Sequence, residues 1–596
     1  MSILQGLTAL IGTLTQLLTN GGSVLGTLEA PLLPQFLTNN PLPNGFPWST
    51  DTTSNTNPYT QSPITGVIRP YDFTISRGYL APDGVNKSVL LVNGQFPAPT
   101  IEVNWGDTIQ VTVRNEITGP EEGVSLHWHG ILQKLTPWYD GVPSVQQCPI
   151  APGSTFTYSF LADLYGTTWY HSHYSAQYAG GLIGPLIVHG PTNVPYDIDI
   201  GPVILSDHYW HDYYSIVQSI EEPGVVGIPR SDNNLINGKG NANCAAAAVT
   251  VPGASCVPNA GLSKFRFQTG KVHRLRLINA GAEGIQRFTI DGHNMTVIAN
   301  DFVPIKPYQT DVVTLGIGQR TDVLVTGTDK STAAIWMRSD VSGNCSAGST
   351  TGGSHAFAAI YYQNANTSSI PTTTATAYDD SHCGNDDLSL TTPVFPITPP
   401  TTPAVSQTIN INFGLNTTGF FVWTMNGESF RANYDNPLLL LANLGNTSYP
   451  DDPQWNVYNF GKNTSIQIVL NNLIGAAHPI HLHGHNYWVL SEGQGPWDGT
   501  IQGNPSNPQR RDVQILQPGS ASNPSHLVIE FEADNPGVWP LHCHIAWHVS
   551  AGLYVNVMER PDLITEKQIP SVLAQTCRDW AIFSGHNVVD QIDSGL

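Results

Sequence analysis

One motif recurs three times along this chain of 596 residues and limits the folds open to it. Each copy has an Asn-Gly pair and, farther on, a run of alternating polar and apolar residues that ends in Asn. Asn-Gly is typical of tight β-turns, and alternation is typical of a strand with one buried face. The copies therefore predict repeated β-sheet units. They lie at residues 92–94 with 108–115, 236–238 with 273–279, and 425–427 with 465–471.

Composition agrees with an all-β protein. The chain has 56 glycines and 45 prolines, and only 12% of its residues are charged. Short alternating runs broken by glycine and proline begin at Tyr71, as is typical of β-sandwiches. Because the chain is too long for one hydrophobic core, we predict an N-terminal arm at 1–65 and three domains at 66–195, 196–395 and 404–596, with a Thr/Pro-rich linker at 371–403.

Four short clusters contain the motif His-x-His. On a strand this motif places two imidazoles on one face, about 6.6 Å apart, which is close enough for them to bind one metal ion or two adjacent ones. A single pair is usually two surface histidines, but four pairs are hard to explain by chance. The pairs are His127 with His129, His171 with His173, His481 with His483, and His542 with His544.

Two of these clusters also carry a residue of opposite parity. Cys543 lies between His542 and His544, and His478 is out of step with the pair that follows it. A thiolate with two imidazoles is the ligand set of a blue-copper centre, and His548 is a nearby candidate for the second imidazole. We therefore predict a mononuclear site on one face (His478, Cys543 and His548) and a polynuclear site on the other. The polynuclear site should lie between the first and third domains.

With these clusters the chain resembles the multicopper oxidases and, within that family, laccases of the ascomycete fungal type, from about Tyr71 to its end. The resemblance implies three consecutive cupredoxin-like Greek-key β-sandwich domains, of which the middle one holds no copper and forms a wall of the substrate pocket. It implies a secreted laccase that oxidises phenols and aromatic amines by one electron at a type 1 copper. This oxidation would be coupled to the four-electron reduction of dioxygen to two water molecules at a trinuclear copper cluster.

The resemblance also implies the ligands of four copper ions. Type 1 copper would be held by His478, Cys543 and His548, and type 2 copper by His127 and His481. The type 3 pair would be held by His129, His171, His173, His483, His542 and His544. His485 matches no ligand of the family, and we interpret it as a structural neighbour of the site.

Further roles follow from the same resemblance. Leu553, ten residues after Cys543, would stand at the axial position of the type 1 copper as a non-ligand and raise its potential relative to Met. Bilirubin and ascorbate oxidases carry Met there, so this residue favours a laccase; it also serves core packing. Asp140 matches a carboxylate near the type 2 copper that relays protons or orients water, although a buried Asp that caps a turn is the alternative.

The substrate side and the C-terminus have counterparts in the family as well. Glu283 matches the acid that accepts the phenolic proton, whereas taken alone it would be a solvated loop acid. An aromatic wall would be formed by Phe421, Trp423 and Trp547, with the electron entering through His478 or His548. The last four residues, Asp593, Ser594, Gly595 and Leu596, resemble a tail that plugs the channel to the trinuclear site.

The chain has seven cysteines. With Cys543 assigned to copper, six remain, and about 15 pairings are possible from sequence alone. The resemblance favours Cys148 with Cys577 and Cys345 with Cys383, which leaves Cys244 with Cys256. Disulfides and seven Asn-x-Ser/Thr sequons indicate a secreted glycoprotein. Residues 1–19 are apolar but lack a basic start and a clear cleavage site, so we expect a signal or propeptide to have been removed.

The net charge of the chain limits the binding partners that it can have. The chain has 24 basic and 45 acidic residues, a net charge of -21, which disfavours nucleic acid and anionic membranes. No apolar run is long enough to span a membrane, and we expect a monomer that acts on small phenols or aromatic amines and dioxygen.

One alternative is a metal-ion (ferroxidase-like) or bilirubin-type oxidase of the same family. A metal-ion oxidase would need acidic residues clustered around the type 1 site, and Glu283 is the single candidate there. The other alternative, an electron carrier, would not need the eight further imidazoles.

Overall fold

The structure is a computed structural model that describes residues 52–225, 227–349, 351–449, 452–586 and 591–596. The predicted N-terminal arm is described only from residue 52, so the apolar stretch at 1–19 lies outside the described residues. In the described part of the chain, no helix is both long enough and apolar enough to cross a membrane.

The first sandwich follows the arm. Its strands are β1 (Ile68–Leu80), β2 (Lys87–Val92), β3 (Ile101–Asn104), β4 (Thr108–Asn115), β5 (Leu126–Trp128), β6 (Thr155–Leu161), β7 (Gly166–Ser172) and β8 (Ile183–His189). They form two four-stranded sheets, in the orders β2-β1-β4-β6 and β3-β8-β7-β5. Short 3₁₀ helices lie at Pro137–Tyr139 and Gln177–Gly180. The antiparallel pair β5 and β7 places His127 directly opposite His171.

The second sandwich is larger. Its strands are β9 (Ile198–His208), β10 (Asn233–Ile236), β11 (Ser263–Phe267), β12 (Val272–Asn279), β13 (Gln286–Ile290), β14 (Met295–Asn300), β15 (Val303–Thr310), β16 (Val313–Leu315), β17 (Arg320–Thr326), β18 (Ala334–Val341) and β19 (His355–Tyr362). Its two sheets have the orders β10-β9-β12-β17-β14-β15 and β11-β19-β18-β13-β16. Helices α1 (Tyr213–Ile220) and α2 (Cys244–Thr250) lie in the connections on either side of β10.

The third sandwich has the same plan. Its strands are β20 (Val405–Leu415), β21 (Phe421–Met425), β22 (Val457–Asn459), β23 (Ser465–Asn472), β24 (His478–Leu482), β25 (Tyr487–Gln494), β26 (Arg510–Arg511), β27 (Val513–Leu516), β28 (Ser525–Glu532), β29 (Gly537–Cys543) and β30 (Tyr554–Glu559). The sheet orders are β21-β20-β23-β28-β25-β26 and β22-β30-β29-β24-β27. Its helices are α3 (Leu438–Asn443), a 3₁₀ turn (Pro453–Trp455), α4 (Ala546–Ser550), α5 (Pro561–Ile564) and α6 (Ser571–His586).

The repeated motif occupies the same place in each sandwich, as predicted. Strands β4, β12 and β23 each lie between one parallel and one antiparallel neighbour. In each Asn-Gly turn both residues have positive φ, a conformation that Asn and Gly adopt most readily. The side-chain oxygens of Asn93, Asn237 and Asn426 each accept a backbone N–H from the strand at which the turn is anchored. Local turn chemistry therefore fixes the same register three times.

The hydrophobic core shows how the sandwiches are joined. One continuous cluster of buried side chains joins the first and third sandwiches and includes some residues of the second, which also has a separate core of its own. A disulfide between Cys148 and Cys577, which are 429 residues apart, also ties the first sandwich to helix α6. The all-β architecture is as predicted, and the domain boundaries given above stay a prediction.

Candidate metal centres

Strand β29 organises both candidate sites. It pairs with β24 so that His542 lies opposite His481 and Cys543 lies opposite Ile480. Because neighbouring side chains on a strand point to opposite faces, Cys543 faces away from His542. Strand β29 ends at Cys543, and helix α4 begins at Ala546. A turn of helix therefore brings His548 back towards Cys543.

The mononuclear group consists of His478, Cys543 and His548. The Sγ atom lies 3.6 Å from Nδ1 of His478 and 3.5 Å from Nδ1 of His548, and these two nitrogens are 3.2 Å apart. All three side chains are buried. Burial raises the pKa of the Cys543 thiol and lowers the pKa of His478 to about 3. Burial keeps the Cys543 thiol protonated unless a cation replaces the proton, and the two imidazole nitrogens that converge on Sγ fit a metal ion in that place.

The polynuclear group consists of eight buried histidines. Three sets have ligand nitrogens that all lie within 4.8 Å of one another. The sets are His129, His171 and His544; His173, His483 and His542; and His127, His129 and His481. The first sandwich supplies four of these side chains and the third supplies the other four. The structure therefore brings together all eight imidazoles of the four His-x-His pairs, at a boundary between these two sandwiches.

The hydrogen bonds of these imidazoles leave nitrogens free for a metal ion. Nδ1 of His127, His171 and His481 lies 2.8–2.9 Å from a backbone oxygen. Nε2 of each of these rings is buried and has no hydrogen-bond partner among the described residues. Burial and then the neighbouring imidazoles lower the pKa of His481 and His483 well below the ordinary value. Neutral rings with a free lone pair are the form that binds metal.

Two buried carboxylates orient these rings. Asp140 accepts a hydrogen bond from Nδ1 of His483 at 2.8 Å, and its backbone oxygen accepts one from Nδ1 of His127 at 2.8 Å. Asp512 accepts a hydrogen bond from Nε2 of His129 at 3.1 Å. Asp140 was a candidate from its sequence, whereas Asp512 was missed. The sequence feature that could have indicated Asp512 is the run of three charged residues at 510–512, directly before an apolar strand.

The aromatic residues predicted to line the substrate side lie at the mononuclear group. The Trp423 ring centroid is 4.1 Å from that of His548 and 5.0 Å from that of His478, and Phe421 is 6.0 Å from Trp423. Trp547 is buried and donates its indole N–H to the Tyr209 hydroxyl at 3.1 Å, so it supports the site from inside.

Leu553 also borders the mononuclear group. Its side chain is fully buried. Its backbone is hydrogen bonded to Cys543 and to His548, at 3.2 and 2.9 Å. A non-polar residue is therefore fixed beside two of the three predicted ligands.

Glu283 is buried at the end of a loop held by a second acid. One of its carboxylate oxygens accepts the Ala347 N–H at 2.8 Å, and the other has no partner among the described residues. Asp207 accepts the N–H groups of residues 282, 283 and 284 at 2.6–2.9 Å, which fixes the loop. Burial and then Asp207 raise the pKa of Glu283 to about 8. The alternative of a solvated loop acid is therefore wrong, and the sequence did not point to Asp207.

The C-terminal residues reach the polynuclear group. Leu596 is buried and lines a small cavity together with ligand candidates such as His173, His542 and His544. The Gly595 carbonyl accepts hydrogen bonds from the Ser175 N–H at 3.0 Å and the Tyr434 hydroxyl at 2.7 Å. The tail is thus held by residues of the first and third sandwiches.

The remaining predicted residues are placed as follows. His485 is buried, with Nδ1 2.9 Å from the His483 carbonyl and Nε2 3.3 Å from Glu559, and it belongs to none of the ligand sets above. The disulfides are Cys148–Cys577, Cys244–Cys256 and Cys345–Cys383. Cys543 is a free cysteine.

The fold and the two ligand groups define a copper protein with one mononuclear and one polynuclear site. Three family profiles described as multicopper oxidase match residues 74–193, 199–365 and 399–563. The chain is 37% identical to Laccase-1 of Botryotinia fuckeliana over 557 residues, which cover 91% of each chain. It belongs to the multicopper oxidase family.

Solved structures of other proteins agree with this family assignment. The laccase from Botrytis aclada matches with a TM-score of 0.82 and 33% identity, over 92% of this chain and all of that one. Fet3p, described as a multicopper oxidase that functions in iron import, matches with a TM-score of 0.73 and 26% identity, over 89% of this chain and 98% of that one. The three sandwiches are therefore cupredoxin-like, as predicted. Family membership implies four copper ions, and the unpartnered nitrogens and the buried thiol described above fit them.

Proposed function

We propose that this protein is a secreted laccase that oxidises phenols and aromatic amines one electron at a time and reduces dioxygen to water. One observation carries the proposal. On β29, Cys543 faces a mononuclear ligand group while its covalent neighbours, His542 and His544, face the eight-histidine group. Electron entry and dioxygen reduction are thus joined by adjacent residues. An electron carrier would need only the first group.

The proposed ligands are those predicted from the sequence. Type 1 copper is held by His478, Cys543 and His548, and type 2 copper by His127 and His481. The type 3 pair is held by His129, His171 and His544 on one side and by His173, His483 and His542 on the other. Bound copper supplies the one-electron chemistry and the four reducing equivalents that dioxygen needs. Asp140 and Asp512 hold the His483 and His129 rings in the orientation that presents their free nitrogens.

The substrate side is proposed to lie against His548. Trp423 packs over this imidazole and excludes water from it, and Phe421 extends the aromatic surface. Asp207 fixes the loop that carries Glu283, whose unpartnered oxygen is available to the phenolic O–H. Leu553, fixed beside Cys543 and His548, would offer a type 1 copper no further ligand, which favours a high potential.

The proposal includes secretion and a monomeric state. Three disulfides and seven sequons support secretion. The net charge of -21 supports small neutral or cationic substrates over nucleic acid, and we propose that the protein acts as a monomer.

The test of this function is the stoichiometry of the copper-loaded protein with a simple methoxyphenol. Four molecules oxidised per dioxygen, with no peroxide released, are expected for a laccase. Two per dioxygen with peroxide, or no dioxygen consumption, would contradict the proposal. Ferrous ion, tested as a second electron donor, distinguishes a laccase from the alternative of a metal-ion oxidase. We expect the phenol to be the better donor, because both oxygens of Asp207 already accept backbone N–H groups, which leaves a cation one unpartnered oxygen of Glu283.

Glu283→Gln should lower kcat/KM for a phenol on the order of 10²-fold, because the amide cannot accept the phenolic proton. Burial raises the pKa of Glu283 to about 8, so the carboxyl is neutral at lower pH and ionises as pH rises through this value. The wild-type kcat/KM for phenols should therefore contain a limb that rises towards pH 8, and the variant should lack it. Steady-state rates measured across pH test this.

Two controls accompany this substitution. Ferrocyanide has no proton to lose, so its oxidation should be the same in both proteins at each pH. The second control is stability. Because the folded state keeps Glu283 neutral, the free energy of unfolding should fall as pH rises from 4.5, the ordinary pKa of a glutamate, through about 8. That slope should be smaller in the variant. An unchanged phenol profile would exclude a role for Glu283.

Residues appended after Leu596 should slow dioxygen turnover. The terminal side chain is buried beside His542 and His544, so an extension must displace the tail from this cavity. Reoxidation of the reduced enzyme by dioxygen should become slower, while its reduction by phenol stays unchanged. The same residues inserted between Pro505 and Ser506, which are exposed, serve as the control. Wild-type reoxidation in the extended protein would show that the tail is not a plug.

A further inference from the structure

The second sandwich supplies none of the proposed copper ligands, yet one of its loops touches them. The connection between β16 and β17 contains Gly318, whose φ is +86°. A Cβ atom at this position would lie 2.8 Å from Cδ2 of His544 and 3.0 Å from Cε1 of His129. These two imidazoles come from the third and the first sandwich, so the loop lies where all three sandwiches meet.

Arg320, at the start of β17, is a charged residue of this junction. Its side chain is fully buried. The guanidinium donates to both oxygens of Asp512, at 2.5 and 2.7 Å, in the bidentate geometry that Arg–carboxylate pairs favour. Its Nε donates to the Thr167 carbonyl of the first sandwich at 3.2 Å. A single side chain of the second sandwich therefore binds the other two.

The partner of Arg320 is in direct contact with the imidazoles. Oδ1 of Asp512, which accepts from Arg320, also accepts the Nε2–H of His129, and the Asp512 backbone oxygen accepts the Nδ1–H of His481. With Nε2 of His129 protonated, Nδ1 carries the lone pair, and this atom lies 3.2 Å from Nε2 of His544. Two ring nitrogens that face each other at this distance are the arrangement that a shared cation would stabilise.

A second acid completes the junction. Asp301 accepts hydrogen bonds from the Arg511 guanidinium at 3.0 and 3.2 Å, and from the backbone N–H groups of Arg320, Asp512 and Val513 at 3.0–3.3 Å. Two arginines and two aspartates thus form a buried network in which the charges are balanced. Such networks hold one geometry, because moving any member leaves a charge unpaired in the interior.

We propose that Arg320 is a positioning residue of the trinuclear site: it fixes Asp512, and Asp512 fixes the tautomer and orientation of His129. The second sandwich then takes part in building the copper site and is more than a spacer or a wall of the substrate pocket. This inference rests on the trinuclear assignment proposed above.

The test compares Arg320→Met and Arg320→Lys with the wild type, all loaded at graded free copper. Lys keeps the positive charge and with it the fold, but a single ammonium cannot hold both Asp512 oxygens. In both variants the blue absorbance of the mononuclear site should be unchanged. Copper affinity of the trinuclear site should fall about 10- to 100-fold. The electron paramagnetic resonance signal of the type 2 copper should be shifted, and KM for dioxygen should change more than kcat for the phenol.

The matched control is Arg338→Met. Arg338 is also in the second sandwich and pairs with Asp291 at 2.8 and 2.9 Å, but neither residue belongs to the ligand network. Four coppers bound with wild-type affinity and an unshifted type 2 signal in Arg320→Lys would overturn the proposal. Equal copper loss in the Arg338 variant would also overturn it, because the effect would then belong to the stability of the sandwich. Absence of copper from the wild type itself would instead refute the proposed function.

Discussion

Replacing Cys543 with serine should abolish the blue absorbance and reduce phenol oxidation to the uncatalysed background. Sγ is the only thiol in the mononuclear group and lies 3.5–3.6 Å from both of its imidazole nitrogens. A serine hydroxyl does not ionise in a buried site, and oxygen is a poor ligand for copper in this geometry. Absorbance spectra and initial rates of methoxyphenol oxidation measure both effects.

The same variant carries its own control. His542 and His544 face the other group, so the type 2 signal and the copper content of the trinuclear site should persist. The thermal midpoint should change little, because serine is similar in size and shape to cysteine. Wild-type phenol turnover in this variant would refute electron entry at Cys543.

Asp140→Asn should reduce dioxygen turnover about 10- to 100-fold, the usual effect of removing a group that orients metal ligands. Asp140 accepts a hydrogen bond from His483, and its backbone oxygen accepts one from His127, so it contacts one ligand of type 3 copper and one of type 2 copper. Because it touches no member of the mononuclear group, phenol should reduce the enzyme at the wild-type rate without oxygen. Stopped-flow reoxidation should then be slow.

Asp291→Asn provides the comparison, since Asp291 is an equally buried acid that pairs with Arg338 in the second sandwich. This variant should lose stability but keep wild-type reoxidation. Slow reoxidation in both variants would mean that the Asp140 effect reports general loosening of the structure.

The sequence predicted the parts of this protein that depend on local pattern. Strand alternation separates Cys543 from His542, and each Asn-Gly turn supplies its own positive φ and its own hydrogen bond. These properties are set within a few residues, so they can be derived without knowing the partner strands.

The parts that were missed depend on contacts between distant segments. Arg320 and Asp512 are 192 residues apart, and Asp207 binds a loop about 75 residues farther along the chain. A single aspartate or arginine has no periodicity that would reveal such a partner. The path of the chain after Cys543 was also missed, because five residues of helix at 546–550 give too short a pattern to separate from a strand.

The division of ligands among the sandwiches gives the two metal sites different structural requirements. His478, Cys543 and His548 all belong to the third sandwich, so this site is complete once that unit folds. The eight-histidine site also requires the first sandwich to dock and Arg320 to enter the junction. Disrupting the contact between the first and third sandwiches should therefore break up the eight-histidine site, while the three ligands of the mononuclear site stay on one sandwich.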